Sequence, residues 1–112
     1  MEDMRRILEV FENYLQEDKA LELIWTKHGV TVGFWSEKQN DWEEFTNCPD
    51  AKTLCGELCS NMAAFRQEKL MQKKGRDLTA KEMRGIYQSV RLCWEECGFD
   101  PQELSHLKEA DE

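Results

Sequence analysis

Four of the five cysteines fall into two pairs, Cys55 with Cys59 and Cys93 with Cys97, each pair spaced four residues apart. In an α-helix that spacing sets both thiols on one face. The cross-pairings Cys55 with Cys97 and Cys59 with Cys93 share one midpoint, residue 76. Arg76 lies in Lys73-Lys74-Gly75-Arg76-Asp77, a polar run with the composition of a turn. Two helices folding back antiparallel about that run would bring four thiols level at the open end of a helical hairpin.

Leu54, Leu58, Met62 and Phe65 flank the first pair, and Ile86, Val90 and Trp94 flank the second, so the cysteines lie within ordinary apolar stripes. Three readings of the cluster follow. The thiols are small core residues, as free cysteine often is. They are ligands of one structural zinc, for which thiolate chemistry and a count of four fit, although the spacing departs from the usual C-x2-4-C pairs. Or they form two interhelical disulfides, which need Cα atoms about 4.4 to 6.8 Å apart where helix axes pack about 8 to 10 Å apart. Facing positions just satisfy both limits.

The twin C-x3-C pattern resembles that of the small chaperones of the mitochondrial intermembrane space and of the α-hairpin defence peptides. The resemblance covers Cys55, Cys59, Cys93 and Cys97 only, and the gap between the pairs is far longer here, so no function is transferred from it.

A chain of 112 residues is expected to form one domain with a modest core. Apolar content of 40% with four tryptophans predicts a folded chain rather than an acidic disordered tail. The formal net charge of −8 disfavours nonspecific binding to nucleic acid or anionic lipid, and favours a basic partner. No apolar run approaches the roughly 20 residues of a membrane span, and Met1-Glu2-Asp3-Met4-Arg5-Arg6 lacks the apolar core of a signal peptide. A cytoplasmic location is therefore expected. Cys48 leaves an odd cysteine count, which together with that location favours reduced thiols.

Along the chain, Met4, Ile7, Leu8, Phe11, Tyr14 and Leu15 follow a helical period, predicting an amphipathic helix from Glu2 to Gln16 that faces the protein's own core. Leu21 to Lys27 and Val30 to Ser36 are rich in β-branched and aromatic residues, with His28-Gly29 as a tight turn between two strands. Leu21, Leu23 and Trp25 would share a face with Val30, Val32 and Phe34, leaving Ile24 and Trp35 on the other. Trp42 to Thr46 is a candidate third strand, ended by Asn47-Cys48-Pro49-Asp50. A two-stranded hairpin alone is marginal in water. A helix starting around Pro49 to Ala51 would end near Lys74, with Gly75 just beyond it. Thr79-Ala80-Lys81-Glu82 is a capping box opening the next helix, which Gly98 stops. Asp100-Pro101 opens a short helix to about Leu107. The expected fold is α+β: an N-terminal helix, a two- or three-stranded antiparallel sheet, a long antiparallel helical hairpin and a short C-terminal helix, over residues 1–107, with 108–112 a frayed acidic tail.

Charge is uneven. From Ala64 to Arg84 seven basic residues stand against three acids. Within that run Lys69, Lys73, Lys74 and Arg76 form a basic turn, read either as a phosphate or acidic-protein contact or as lysines complementing a helix dipole. The order helix, three strands, helix is similar to the double-stranded-RNA-binding fold, whose basic cluster belongs at the start of its last helix. Here the basic residues mostly end the middle helix and no aromatics interleave them, so direct nucleic-acid binding is not expected.

The remaining surface is acidic, with Trp35 and Trp42 among its carboxylates. No Ser-His-Asp or Cys-His pattern, phosphate-binding glycine loop, H-E-x-x-H or calcium loop is present, and His28 reads as a turn residue. The expected function is non-enzymatic: an acidic interaction module, an inhibitor or adaptor of phage or mobile-element type. It would mimic nucleic acid as some anti-CRISPR proteins do, and occupy the basic surface of a nucleic-acid-handling partner. The expected contacts are Glu22, Trp35, Glu37, Asp41, Trp42, Glu43 and Glu44, with no cofactor. The alternative is a regulatory domain holding one structural zinc through the four paired cysteines, with the basic turn on nucleic acid.

Overall fold

The computed structural model describes residues 2–104. It is an α+β protein whose backbone divides into two compact units, with the boundary between Leu54 and Cys55.

The first unit begins with two helices, α1 (Glu2–Val10) and α2 (Glu12–Glu17), in place of the single helix expected. The break falls at Phe11, whose φ of −95° and ψ of 9° leave the helical well. The apolar stripe nevertheless runs through it, because Phe11 N–H donates to the carbonyl of Ile7 and its own carbonyl accepts from Leu15. Met4, Ile7, Phe11 and Tyr14 are all buried, three or four residues apart. Asp18 is buried one turn beyond them. Its carboxylate accepts from the Tyr14 hydroxyl at 2.7 Å, which satisfies two polar groups that burial would otherwise penalise.

Three antiparallel strands follow in the order of the chain: β1 (Leu21–Thr26), β2 (Gly29–Ser36) and β3 (Asp41–Cys48). Leu21 pairs with Phe34, Leu23 with Val32 and Trp25 with Val30, so these six side chains share a face as expected. Cys48 joins them opposite Val30, and Leu21, Val30, Val32 and Cys48 are buried. Trp25 belongs to that face by register yet lies at its hairpin end, 46% exposed. The third strand is longer than expected at both ends. Asn47 and Cys48 pair with Thr31 and Val30, and only Pro49 stops the ladder, having no N–H to give it.

The β1–β2 turn differs from the expected one in its glycine. Lys27 and His28 form the turn, and Gly29 already pairs with Thr26. Gly29 alone among these takes positive φ, +113°, which excludes the two-residue turns that put positive φ in the loop and matches a turn closed by a glycine bulge. A Cβ at Gly29 would also lie 2.2 Å from the Cys48 carbonyl oxygen and 2.7 Å from the Pro49 Cα. Both are backbone atoms.

Helix α3 (Ala51–Lys74) is capped by Asp50, whose carboxylate accepts from Thr53 N–H at 2.8 Å. Pro49 therefore stands before the cap rather than in the first turn. Gly75, with φ of +69°, ends the helix. In the second unit α4 (Ala80–Glu96) opens with the expected capping box, Thr79 accepting from Glu82 N–H and Glu82 from Thr79 N–H. The partners α4 finds on α3 keep one register down the hairpin. The Cys59 thiol approaches the Val90 carbonyl at 3.9 Å, and Gln67 donates to the Tyr87 hydroxyl at 2.8 Å. The fold-back is centred near residue 76. After Gly98 at φ +91°, Asp100 caps a single 3-10 turn, Pro101–Glu103. The Trp94 indole N–H donates to the Asp100 carbonyl at 2.6 Å and its ring lies 4.8 Å from that of Phe99. The expected helix beyond this turn, and the tail 108–112, lie outside the described residues.

Two glycines with positive φ should respond differently to a methyl group. Gly29→Ala meets backbone as well as strain and is expected to cost about 2 to 4 kcal/mol. Gly75→Ala, with nothing within 4 Å of the new Cβ, should cost about 1 kcal/mol. Urea unfolding followed by circular dichroism measures both, and equal losses would contradict the packing described around Gly29.

Candidate functional site

The face of the sheet opposite Leu21, Val30 and Val32 carries Glu22, Ile24, Thr31, Gly33, Trp35, Phe45 and Asn47, by the alternation of the strands. Trp42 joins them only because β3 contains an extra residue. The partner of Phe34 is Glu44, whereas the partner of Trp35 is Trp42, so Glu43 is bulged out of the ladder. Trp42 and Phe45 are three apart and would otherwise stand on opposite faces. The bulge sets them side by side.

Gly33 forms the floor beneath them. A Cβ there would lie 3.0 Å from the Trp42 ring and 3.3 Å from the Phe45 ring, so both aromatics rest against bare backbone. The Trp42 and Phe45 centroids are 5.0 Å apart, and Trp35 meets Trp42 edge-on at 5.1 Å with an interplanar angle of 84°. The patch remains open to solvent: Phe45 is 54% exposed and Ile24 37%, while the two tryptophans are half-buried. Aromatic surface of this kind on a sheet is unusual enough to require an explanation.

From Leu21 to Cys48 five carboxylates stand against two lysines. Glu22 stands in the same cross-strand row as Gly33 and Phe45. Glu37 lies in the turn after β2 and Asp41 begins β3, its carboxylate accepting from Trp42 N–H at 2.8 Å. Glu43 projects from the bulge, and all of these acids are exposed. Glu44, paired with Phe34, lies on the other face of the sheet. Glu22, Trp35 and Trp42 thus share the aromatic face, Glu43 projects from its bulge and Glu37 lies in the adjoining turn, whereas Asp41, paired with Ser36, falls on the other face with Glu44. Phe45 is the residue that sequence reasoning omits. The available signal is Gly33, since an isolated glycine inside a strand marks a close approach.

The basic turn has a different character. Arg76 makes a paired contact with Glu82 at 2.8 and 3.3 Å, and Lys74 lies 3.8 Å from the same carboxylate. Lys69 sits over the Phe65 ring at 5.4 Å. Three of its four cations therefore have local partners, and Lys73 ends the helix where the dipole favours it.

The four paired cysteines lie on the two arms of the hairpin, Cys55 and Cys59 on α3 and Cys93 on α4, with Cys97 at its end. Cys55 and Cys59 are buried, and Cys93 and Cys97 are half-buried. The Cys55 thiol pKa is raised, chiefly by its interaction with Cys59, with Cys97 opposing the shift and burial adding to it. Burial likewise raises that of Cys93, reinforced by Glu96 and Cys97 and opposed by Arg66. All five cysteines are free thiols, and among the described residues no group of three or more His, Cys, Asp or Glu side chains is arranged to hold a metal ion. His28 is exposed in the β1–β2 turn, where its carbonyl accepts from Asn47, and His106 lies outside the described residues. No helix among the described residues is long and apolar enough to cross a membrane.

No family model, curated protein or solved structure matches this chain. What it does must be argued from its own side chains.

The Arg76–Glu82 contact has a pH signature. The Arg76 guanidinium and the Thr79 N–H hold the Glu82 carboxyl down to about 2 from an ordinary 4.5. Its contribution is therefore complete above the unfolded value and lost as pH falls through the folded one. Glu82→Gln keeps the capping-box hydrogen bond and removes the charge. The variant should melt below wild type near neutral pH, and the difference should shrink between about pH 4.5 and 2. Thermal melts across that range check it, and a difference independent of pH would contradict the pairing.

Proposed function

We propose that this chain is a non-enzymatic interaction module, an inhibitor or adaptor whose outer sheet face occupies a basic, nucleic-acid-binding surface on a partner protein. The observation that carries this reading is the aromatic patch of Trp35, Trp42 and Phe45 held over Gly33 with carboxylates at its rim.

The chemistry of that face favours cations. Tryptophan faces accept arginine guanidinium groups, each contact contributing about 0.5 to 2 kcal/mol as water is excluded. The rim carboxylates match the positive charge of such a groove, which steers encounter and rejects acidic partners. Aromatic anchors at the centre of a polar rim are also the usual anatomy of a protein interface. A lipid or nucleic-acid surface would meet repulsion from the same carboxylates. Mimicry of nucleic acid, as in phage-borne inhibitors including some anti-CRISPR proteins, is the biological setting that a net charge of −8 in so small a chain suits best.

The test uses the whole chain as bait in host extract, in four forms: wild type, Glu22→Lys with Glu43→Lys, Phe45→Ser, and Glu44→Lys. The expected result is a basic protein retained by wild type and released by added DNA or heparin. Retention should fall at least tenfold, equivalent to about 1.4 kcal/mol, for the double charge reversal and for Phe45→Ser. Glu44→Lys reverses one charge on the other face and should lose far less. Equal losses for Glu44→Lys and the double reversal, or retention indifferent to DNA and salt, would sink this assignment.

A further inference from the structure

Among the described residues, the aromatic face of the sheet holds no cation of its own chain. Lys69 lies over the Phe65 ring and Arg76 pairs with Glu82, yet no described lysine or arginine lies over Trp35, Trp42 or Phe45, or pairs with Glu22 or Glu43. Glu22, Gly33 and Phe45 form one cross-strand row. Neighbouring strands lie about 4.8 Å apart, so the backbones of Glu22 and Phe45 stand roughly 10 Å from each other with only a glycine between them. The Trp42 ring rests in that interval, against Gly33. One short stretch of surface therefore carries a carboxylate, an indole and a phenyl ring side by side.

The spacing of the rings decides which cation such a surface suits. A methylated or quaternary ammonium is held by aromatic walls that stand apart and enclose it. Here the ring centroids are 5.0 and 5.1 Å apart, too close to admit any group between them. What remains is a continuous outer surface, most open at Phe45, on which a flat group can lie. The guanidinium of arginine is flat and weakly hydrated, stacks on aromatic faces, and keeps its N–H donors at its edge, where one carboxylate can take two of them. A lysine ammonium is a compact, strongly hydrated point charge and gains little from the same floor.

We propose that this face selects arginine over lysine: an arginine of the partner stacks its guanidinium on Trp42 and donates from its edge to the Glu22 carboxylate. Glu43 projects from the bulge next to Trp42 and adds to the negative charge there. The inference rests on the assignment of the sheet face to a basic protein surface, and narrows that surface to one whose exposed anchor is an arginine. Charge alone would not discriminate, since both side chains carry one positive charge. The discrimination comes from the aromatic floor and from the carboxylate set beside it.

The experiment titrates the full chain, by calorimetry at physiological ionic strength, with three synthetic peptides of equal length and charge: hexa-arginine, hexalysine and hexa-trimethyllysine. Hexa-arginine should bind about tenfold more tightly than either of the others. Trp42→Ala and Glu22→Gln should each bring the ratio of arginine to lysine affinity toward one, and Glu44→Gln, on the other face, should leave it unchanged. The wild-type ratio decides the question even where a variant fails to fold. Equal affinities for arginine and lysine, tight binding of the trimethyllysine peptide, a ratio that survives Trp42→Ala, or one that Glu44→Gln lowers as far as Glu22→Gln would each overturn the arginine assignment and leave the acidic interaction module standing. Failure of all three peptides to bind would overturn both.

Discussion

One additional residue in β3 decides what the sheet shows to solvent. Side chains on a strand alternate, so the three positions from Trp42 to Phe45 ought to separate their rings by the thickness of the sheet. Glu43, bulged from the ladder, resets the count and returns both rings to one side. Gly33 then supplies the space in which they lie down. Neither device works without the other. A regular ladder would divide the aromatics, and a side chain at position 33 would push them apart.

The hairpin rests on a different kind of constraint, one of termination. Gly75 ends α3 in a conformation that few other residues take readily, and the Thr79–Glu82 box starts α4 four residues later. With both helix ends set, the approach of Cys59 to the Val90 carbonyl and the pairing of Gln67 with Tyr87 follow from the rise per residue common to all α-helices. Glu82 serves both the cap and the turn, binding Arg76 and Thr79 N–H together. The basic run in the turn is thereby partly committed to holding the turn itself.

The legibility of these features in the sequence follows the range of the interactions behind them. Caps and turn glycines act within a few residues, and so the two helices and the turn between them are legible in the sequence. The inner face of the sheet was likewise plain from Leu21, Leu23, Val30 and Val32, where alternation is unbroken. The outer patch was legible only in part. Trp35 and Trp42 stand out by residue type, but the return of Trp42 to the face of Phe45 depends on the bulge, which leaves no mark on the composition of β3. The break at Phe11 was hidden for a similar reason, because the apolar stripe is continuous on either side of it. His28-Gly29 shows the limit within a turn: the glycine was recognised, but whether it belonged to the loop or to the strand depended on the Cys48 carbonyl, nineteen positions away in the chain.

The indole groups are distributed in a way that gives the molecule two separate optical labels. Trp25, Trp35 and Trp42 all lie in the strands, partly wetted, whereas Trp94 is enclosed within α4 and donates to Asp100. Emission from the strands should lie to the red and respond to quenchers such as iodide, while the enclosed indole emits to the blue and is shielded. An event on the sheet and an event in the hairpin would therefore register at different wavelengths in one unmodified sample, and a melt followed at both would report whether the two halves lose their order together.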